Sequence, residues 1–151
     1  MSMYTHIFLR KGDEFLEVSC TGRGSALSEM LEHYAPWEKV RLLTIKDLTD
    51  INREYTDELN KWKKYITDQQ ARKALIASFN NGVEDKMEAI QDCDAAIEET
   101  AETIDELSYA LMQIQWLINI AEDADGEYGN RIQIYAGTEC GGEITPDMIE
   151  A

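Results

Sequence analysis

The stretch Ile76-Ala77-Ser78-Phe79-Asn80-Asn81-Gly82-Val83-Glu84-Asp85-Lys86-Met87 decides the fold. Asn80-Asn81-Gly82 is a strong helix stop, because asparagine and glycine tolerate the left-handed conformation that ends helices. Upstream of it, Leu48, Ile51, Tyr55, Leu59, Trp62, Ile66, Gln69 and Ile76 recur in steps of three, four or seven, the apolar stripe of a helix. Downstream, Val83, Met87, Ile90, Ile97, Ala101, Ile104, Leu107, Leu111 and Ile118 do the same. Two long helices joined by about three residues fold back as an antiparallel pair with a coiled-coil-like seam. Pairing about the turn sets residue i opposite roughly residue 163 − i. Trp62 then meets Ala101, Ile66 meets Ile97 and Leu59 meets Ile104. The same register brings Lys61 and Lys64 near Glu98, Glu99 and Glu102, and Arg72 and Lys73 near Asp92 and Glu88.

Outside this hairpin the pattern changes to that of strands. Thr5, Ile7 and Leu9 alternate with Tyr4, His6, Phe8 and Arg10, and Phe15 to Cys20 repeats the alternation. Lys11-Gly12-Asp13-Glu14 between them has the chemistry of a tight turn. Ser25 caps a predicted short helix over 26–34, which presents Leu27, Met30 and Leu31 on one face and ends before Pro36. Glu38 to Leu43 reads as a third strand with Val40 and Leu42 inward. Thr44 caps the long helix that follows, with Asp47 in its first turn. Tyr109 to Ala121 carries no charge and is apolar nearly all round, which predicts burial against the sheet. Asp125-Gly126 stops the second long helix, and Arg131 to Ala136 is the fourth strand. The tail over 138–151 has only a weak helix start at Thr145-Pro146-Asp147.

The expected architecture is a single α+β domain over 1–151. Residues 1–44 and 128–137 supply a small, mainly antiparallel four-stranded sheet in ββαβ-αα-β order. Residues 45–127 supply the long two-helix hairpin, turning at 80–82, packed on one face of the sheet and projecting from it.

The chain has 151 residues and a net charge of −16. An apolar content of 44% is ordinary for a folded protein, so the charge does not signal disorder. Three cysteines without a C-x-x-C pair suggest reduced thiols and a cytoplasmic setting, the host cytoplasm if the protein is viral. No apolar run approaches the roughly 20 residues of a membrane span, and no signal-peptide pattern opens the chain.

The charge is concentrated. Val83 to Glu127 holds fourteen acids and one base, or thirteen of the sixteen net negative charges. Glu84, Asp85, Glu88, Asp92, Asp94, Glu98, Glu99, Glu102, Asp105 and Glu106 fall along the second long helix. Asp85, Glu88, Asp92, Glu99, Glu102 and Glu106 share one face. At about 1.5 Å per residue the acidic run spans roughly 36 Å. Its charge spacing, about one carboxylate per 3.6 Å, approaches the roughly 3.4 Å per phosphate of one DNA strand. Such a face attracts basic partners and repels nucleic acid and anionic membranes. Like charges at i, i+3 and i+4 each cost a few tenths of a kcal/mol. A plain solvated face would normally intersperse lysines to relieve that repulsion.

Three other features compete for a role. The sheet face opposite the helices is expected to show Tyr4, His6, Phe8, Arg10, Phe15, Arg41, Leu43, Arg131 and Tyr135, with Glu17 among them. That surface suits self-association or stacking of a nucleotide. The Gly22-Arg23-Gly24-Ser25 loop lies at a strand-to-helix junction, where free N–H groups hold anions, but it lacks the full glycine pattern of nucleotide-binding loops. Glu122 to Glu127 resembles the middle of a calcium loop and fails at both ends, with Ala121 and Ile132 at the terminal ligand positions. Glu29 and His33 are four apart, but no second pair completes a metal site. Cys20 and Cys93 read as small apolar fillers. Solvated carboxylates keep ordinary proton affinities and serve acid–base chemistry poorly.

No cofactor or metal is expected, and no enzymatic activity. The expected function is a protein–protein interaction module that docks its acidic hairpin on a basic partner, one whose nucleic-acid groove it occludes. Small acidic phage proteins that mimic DNA against host defence complexes use this strategy, which is an analogy of mechanism. The alternatives are a homo-oligomeric binder of an anionic small molecule such as a nucleotide, and a self-assembling structural subunit.

Overall fold

The alternating run Tyr4–Lys11 forms strand β1, and Glu14–Gly22 returns beside it as β2. Their two-residue loop has Gly12 first, with φ of 60°, the position at which a II′ hairpin turn requires glycine. The computed structural model describes residues 3–22, 24–79, 83–122 and 132–139. The anticipated turn at 80–82, the helix stop beyond Glu122, residues Arg23 and Arg131, and the tail from 140 onward lie outside them. Helix α1 (Ala26–Met30), strand β3 (Val40–Leu43), the long helices α2 (Ile45–Ser78) and α3 (Val83–Glu122), and strand β4 (Gln133–Glu139) complete the order. The four strands form one antiparallel sheet in the order β2-β1-β4-β3. This is the α+β arrangement expected, a four-stranded antiparallel sheet with two long helices in the anticipated order.

Capping follows the sequence closely. The Ser25 hydroxyl accepts the Ser28 N–H at 3.1 Å. At the start of α2, Asp47 N–H donates to the Thr44 hydroxyl at 3.0 Å, and Thr44 N–H donates to the Asp47 carboxylate at 3.1 Å. This reciprocal pair satisfies two of the N–H groups that a helix start leaves unpaired.

Three local expectations change. Helix α1 ends at Met30 instead of Tyr34, so Glu29 and His33 do not share a helix face. Strand β3 begins at Val40 because Glu38 takes φ of 53°, a left-handed conformation that interrupts an extended run. Its parity is also reversed. Leu42 pairs with Tyr135 and through it with Phe8, while Leu43 pairs with Ile134 and Leu9. Val40 and Leu42 therefore stand on the face of Phe8 and Tyr135, and Arg41 and Leu43 on the face of Ile7 and Ala136. The tetrapeptide Val40-Arg41-Leu42-Leu43 has apolar residues on both parities, so alternation alone does not choose a face.

The chain gathers into two compact units. The first comprises Met1–Tyr55 and Ala110–Ala151. Its core contains Ile7, Met30, Leu31, Leu48, Ile51, Ile114, Leu117 and Ile134, all essentially fully buried. Each such side chain stabilises the fold by about 1.5–3 kcal/mol. On α3 within this unit, Ala110, Leu111, Ile114, Leu117, Ile118 and Ala121 are buried, but Met112 and Trp116 are 69% and 48% exposed. Burial all round is therefore not what the apolar composition achieves. A helix lying on one surface buries one stripe, and the opposite side chains stay in water.

The second unit, Thr56–Tyr109, consists of the facing stretches of α2 and α3. Leu59, Cys93, Thr100 and Leu107 are buried there, with Trp62, Ile66, Ile97 and Ile104 half-buried beside them. Trp62 packs edge-on against Tyr65 with ring centroids 6.0 Å apart. Lys73 meets Asp94 at 2.6 Å, two residues past Asp92 and six past Glu88, its anticipated neighbours. The Lys86 ammonium donates to the Phe79 carbonyl at 2.8 Å, closing the last turn of α2.

Candidate functional site

Helix α3 presents all ten anticipated carboxylates to solvent. Glu84, Asp85, Glu88, Asp92, Asp94, Glu98, Glu99, Glu102, Asp105 and Glu106 are each exposed. Among the described residues, Asp94 is the one member in an ion pair, and that pair is itself half in water. An exposed pair contributes about 0–1 kcal/mol. The expected links from Lys61, Lys64 and Arg72 to this face do not form among the described residues. The anticipated compensation is thus smaller than the register suggested, and the carboxylates remain available. Glu84 and Asp85 also sit in the first turn of α3, where the helix dipole favours negative charge.

The opposite face of the sheet differs from its expected form. Phe8 and Tyr135 are buried, Val40 packs with them, and Phe15 covers the group at an edge-to-face distance of 5.7 Å from Tyr135. Arg10 lies 5.2 Å over the Phe15 ring, donates to the Tyr135 hydroxyl at 3.3 Å, and donates to the Gly12 carbonyl at 2.8 Å. These rings and Arg10 form an internal cluster and do not offer an open stacking platform. Arg41 belongs by register to the other face, and Arg131 is outside the described residues. Tyr4, at the start of β1, is half-buried. Among the described residues, Arg10 is the one anticipated arginine on this face.

The loop at 22–25 is likewise engaged locally. Thr21 and Ser25 hydroxyls are 2.5 Å apart, and Ser25 already caps α1. Gly24, with φ of 98°, stands where side-chain-bearing residues are strained. A cleft of about 460 Å³ opens next to this loop, lined by residues that include Gly24, Ser28, Glu29, Glu32 and Trp37. Its charged lining among the described residues is acidic, which disfavours an anion. Arg23, on which the anion reading leaned, is outside the described residues.

A different constellation appears at His6. Its Nδ1 contacts Glu17 Oε1, and its Nε2 lies 2.9 Å from Glu139 Oε1. His6 and Glu139 are both buried, and the ring stacks on Phe8. Cys20 pairs directly across from His6 on β2. Cys93 is the buried filler expected, but Cys20 is exposed. Partial desolvation, then the charges of Glu17 and Glu139, push the Cys20 thiol above its usual range, so it stays protonated at neutral pH.

Straight continuation of the hairpin from Lys11↔Glu14 would put Cys20 opposite Thr5, on the helix-facing side. A register shift at Val18 instead pairs Ile7 with Ser19 and His6 with Cys20, moving the thiol to the face of His6 and Glu17. The pairing of Phe8 with Glu17 was readable from the turn. The bulge was not, because Val18 differs in no way from an ordinary strand residue. No protein-family model, curated protein or solved structure matches this chain.

Proposed function

We propose that the protein is a non-enzymatic interaction module whose acidic α3 face docks on a basic surface of another macromolecule, a nucleic-acid-binding protein whose groove it occludes. One observation carries this reading: ten exposed carboxylates between Glu84 and Glu106, with a single ion pair among them. Beyond the first turn of α3, exposed like charges at helical spacing cost the fold a few tenths of a kcal/mol each. They do speed encounter with an oppositely charged partner and make the association sensitive to salt. The helix supplies them at a spacing close to that of nucleic-acid phosphates.

The test compares the wild type with a variant carrying lysine at Glu88, Asp92, Glu99, Glu102 and Glu106. Proteins retained from cells by the wild type should be basic nucleic-acid binders, should be lost with the reversed variant, and should be released by added duplex DNA. Retention of the same proteins by both forms, or failure of DNA to compete, overturns the reading. Circular dichroism of the variant confirms that the helices persist.

A further inference from the structure

We propose that His6, Glu17 and Cys20 form a divalent-metal site, zinc by preference, on the β1–β2 hairpin. Their ligand atoms, one nitrogen, one carboxylate oxygen and one sulfur, all lie within 4.8 Å of one another. Tetrahedral zinc with bonds of about 2.0–2.3 Å needs neighbouring ligand atoms about 3.3–3.8 Å apart. Small side-chain rotations reach that geometry: Glu17 Oε1 moves off Nδ1, and Cys20 Sγ moves in. Both residues that must move are exposed, so neither is held by core packing.

The histidine is already set up as a ligand. A metal-bound imidazole almost always donates its other ring N–H to a carboxylate or carbonyl, which fixes the ring and raises its basicity. Here the buried Glu139 carboxylate receives Nε2 at 2.9 Å, which leaves Nδ1 directed at Glu17. The choice of metal follows from the donors. Sulfur with imidazole nitrogen disfavours calcium and magnesium, which take oxygen ligands, and suits zinc. Three protein ligands with exposed Glu17 and Cys20 leave the fourth position to water. On binding, the Cys20 thiol releases its proton to solvent and Nδ1 coordinates through its unprotonated lone pair, and the cation balances two carboxylates that face a single imidazole.

The bulge at Val18 is the second structural argument. Without it, Cys20 would occupy the other face of the sheet, so the distortion is what completes the donor set. Bulges recur where a strand must re-aim one side chain toward a site. The hairpin in this proposal does not involve α3, and its test is independent of the docking reading.

The experiment uses the full chain, reduced and stripped of metal. Zinc is titrated in competition with a chromophoric chelator, and cobalt(II) is added separately to read thiolate-to-metal absorption. The expected result is one tightly bound ion per chain, with Kd in the micromolar range or below. Cys20→Ser should weaken binding at least about tenfold and remove the thiolate absorption. Glu17→Gln should weaken binding to a similar degree, and Glu139→Gln by about tenfold, the low end for groups that orient a ligand. Cys93→Ser should change neither signal. The melting temperature of metal-free Cys20→Ser should match the wild type, since the residue is exposed. Absence of micromolar binding overturns the site. So does binding that Cys20→Ser leaves intact, which would mark adventitious zinc on surface carboxylates.

Discussion

Carboxylates in this protein live under two opposite regimes. Around His6, Glu17 and Glu139 close on the two nitrogens of a single buried ring. Between Glu84 and Glu106 on α3, ten carboxylates stand in water with one lysine partner. The contrast follows from solvation. Burying an ionised group costs several kcal/mol unless a partner and hydrogen bonds replace its water, so Glu139 is satisfied in the interior. On an exposed helix, water does the solvating, and the sequence is free to place charge for reasons other than stability. Charge that is structurally required and charge that is free for use can thus be told apart by burial.

The largest effect that tests this contrast is at the imidazole. His6→Phe keeps a ring at this position but takes the imidazole away from the buried Glu139 carboxylate, and should destabilise by about 3–5 kcal/mol in denaturant unfolding. A value under 1 kcal/mol would place Glu139 in the solvated regime with the α3 acids. Ile114→Ala, a purely apolar deletion in the same unit, should cost about 2–5 kcal/mol and calibrates that measurement. Lys73→Ala on the helical pair should cost no more than about 1 kcal/mol, because its partner Asp94 remains solvated. Replacing Glu99 and Glu102 by glutamine should be neutral or stabilising by a few tenths of a kcal/mol, as like-charge repulsion along α3 falls. For the same reason the wild-type melting temperature should rise with added sodium chloride as screening sets in. The electrostatics at Cys20 have their own readout. In a chain with serine at Cys93 and Cys140, Cys20 should react more slowly with a disulfide reagent at neutral pH than free cysteine does. Glu17→Gln should speed the reaction, since removing a negative neighbour favours the thiolate.

Much of the fold was legible because local signals agreed with one another. Periodicity over α2 and α3, the Thr44–Asp47 cap, the Ser25 cap and the Gly12 turn all pointed to elements that the structure contains. The exposure of the α3 acids was legible for the same reason, since their spacing alone defines the face. What escaped was set by pairing between distant segments. The face taken by β3 depends on its register with β4, some ninety residues later in the chain, and its own residues suit either side. The His6 cluster needs Glu139 from β4 and the bulge at Val18 from β2, and neither leaves a periodic trace. The half-exposed Trp116 and exposed Met112 escaped because composition reports apolarity without saying which stripe finds a surface.

The irregularity at Val18 has a further effect. Among the described residues β2 is an edge of the sheet, and an edge strand offers a row of free N–H and C=O groups to any other chain. The extra residue breaks the spacing of that row, and Glu14 and Glu17 put charge along it. With Leu16 63% exposed on the same strand, a straight, uncharged edge would be a template for sheet extension into aggregates. The distortion that turns Cys20 toward His6 therefore also helps keep this hairpin from joining its neighbours in solution.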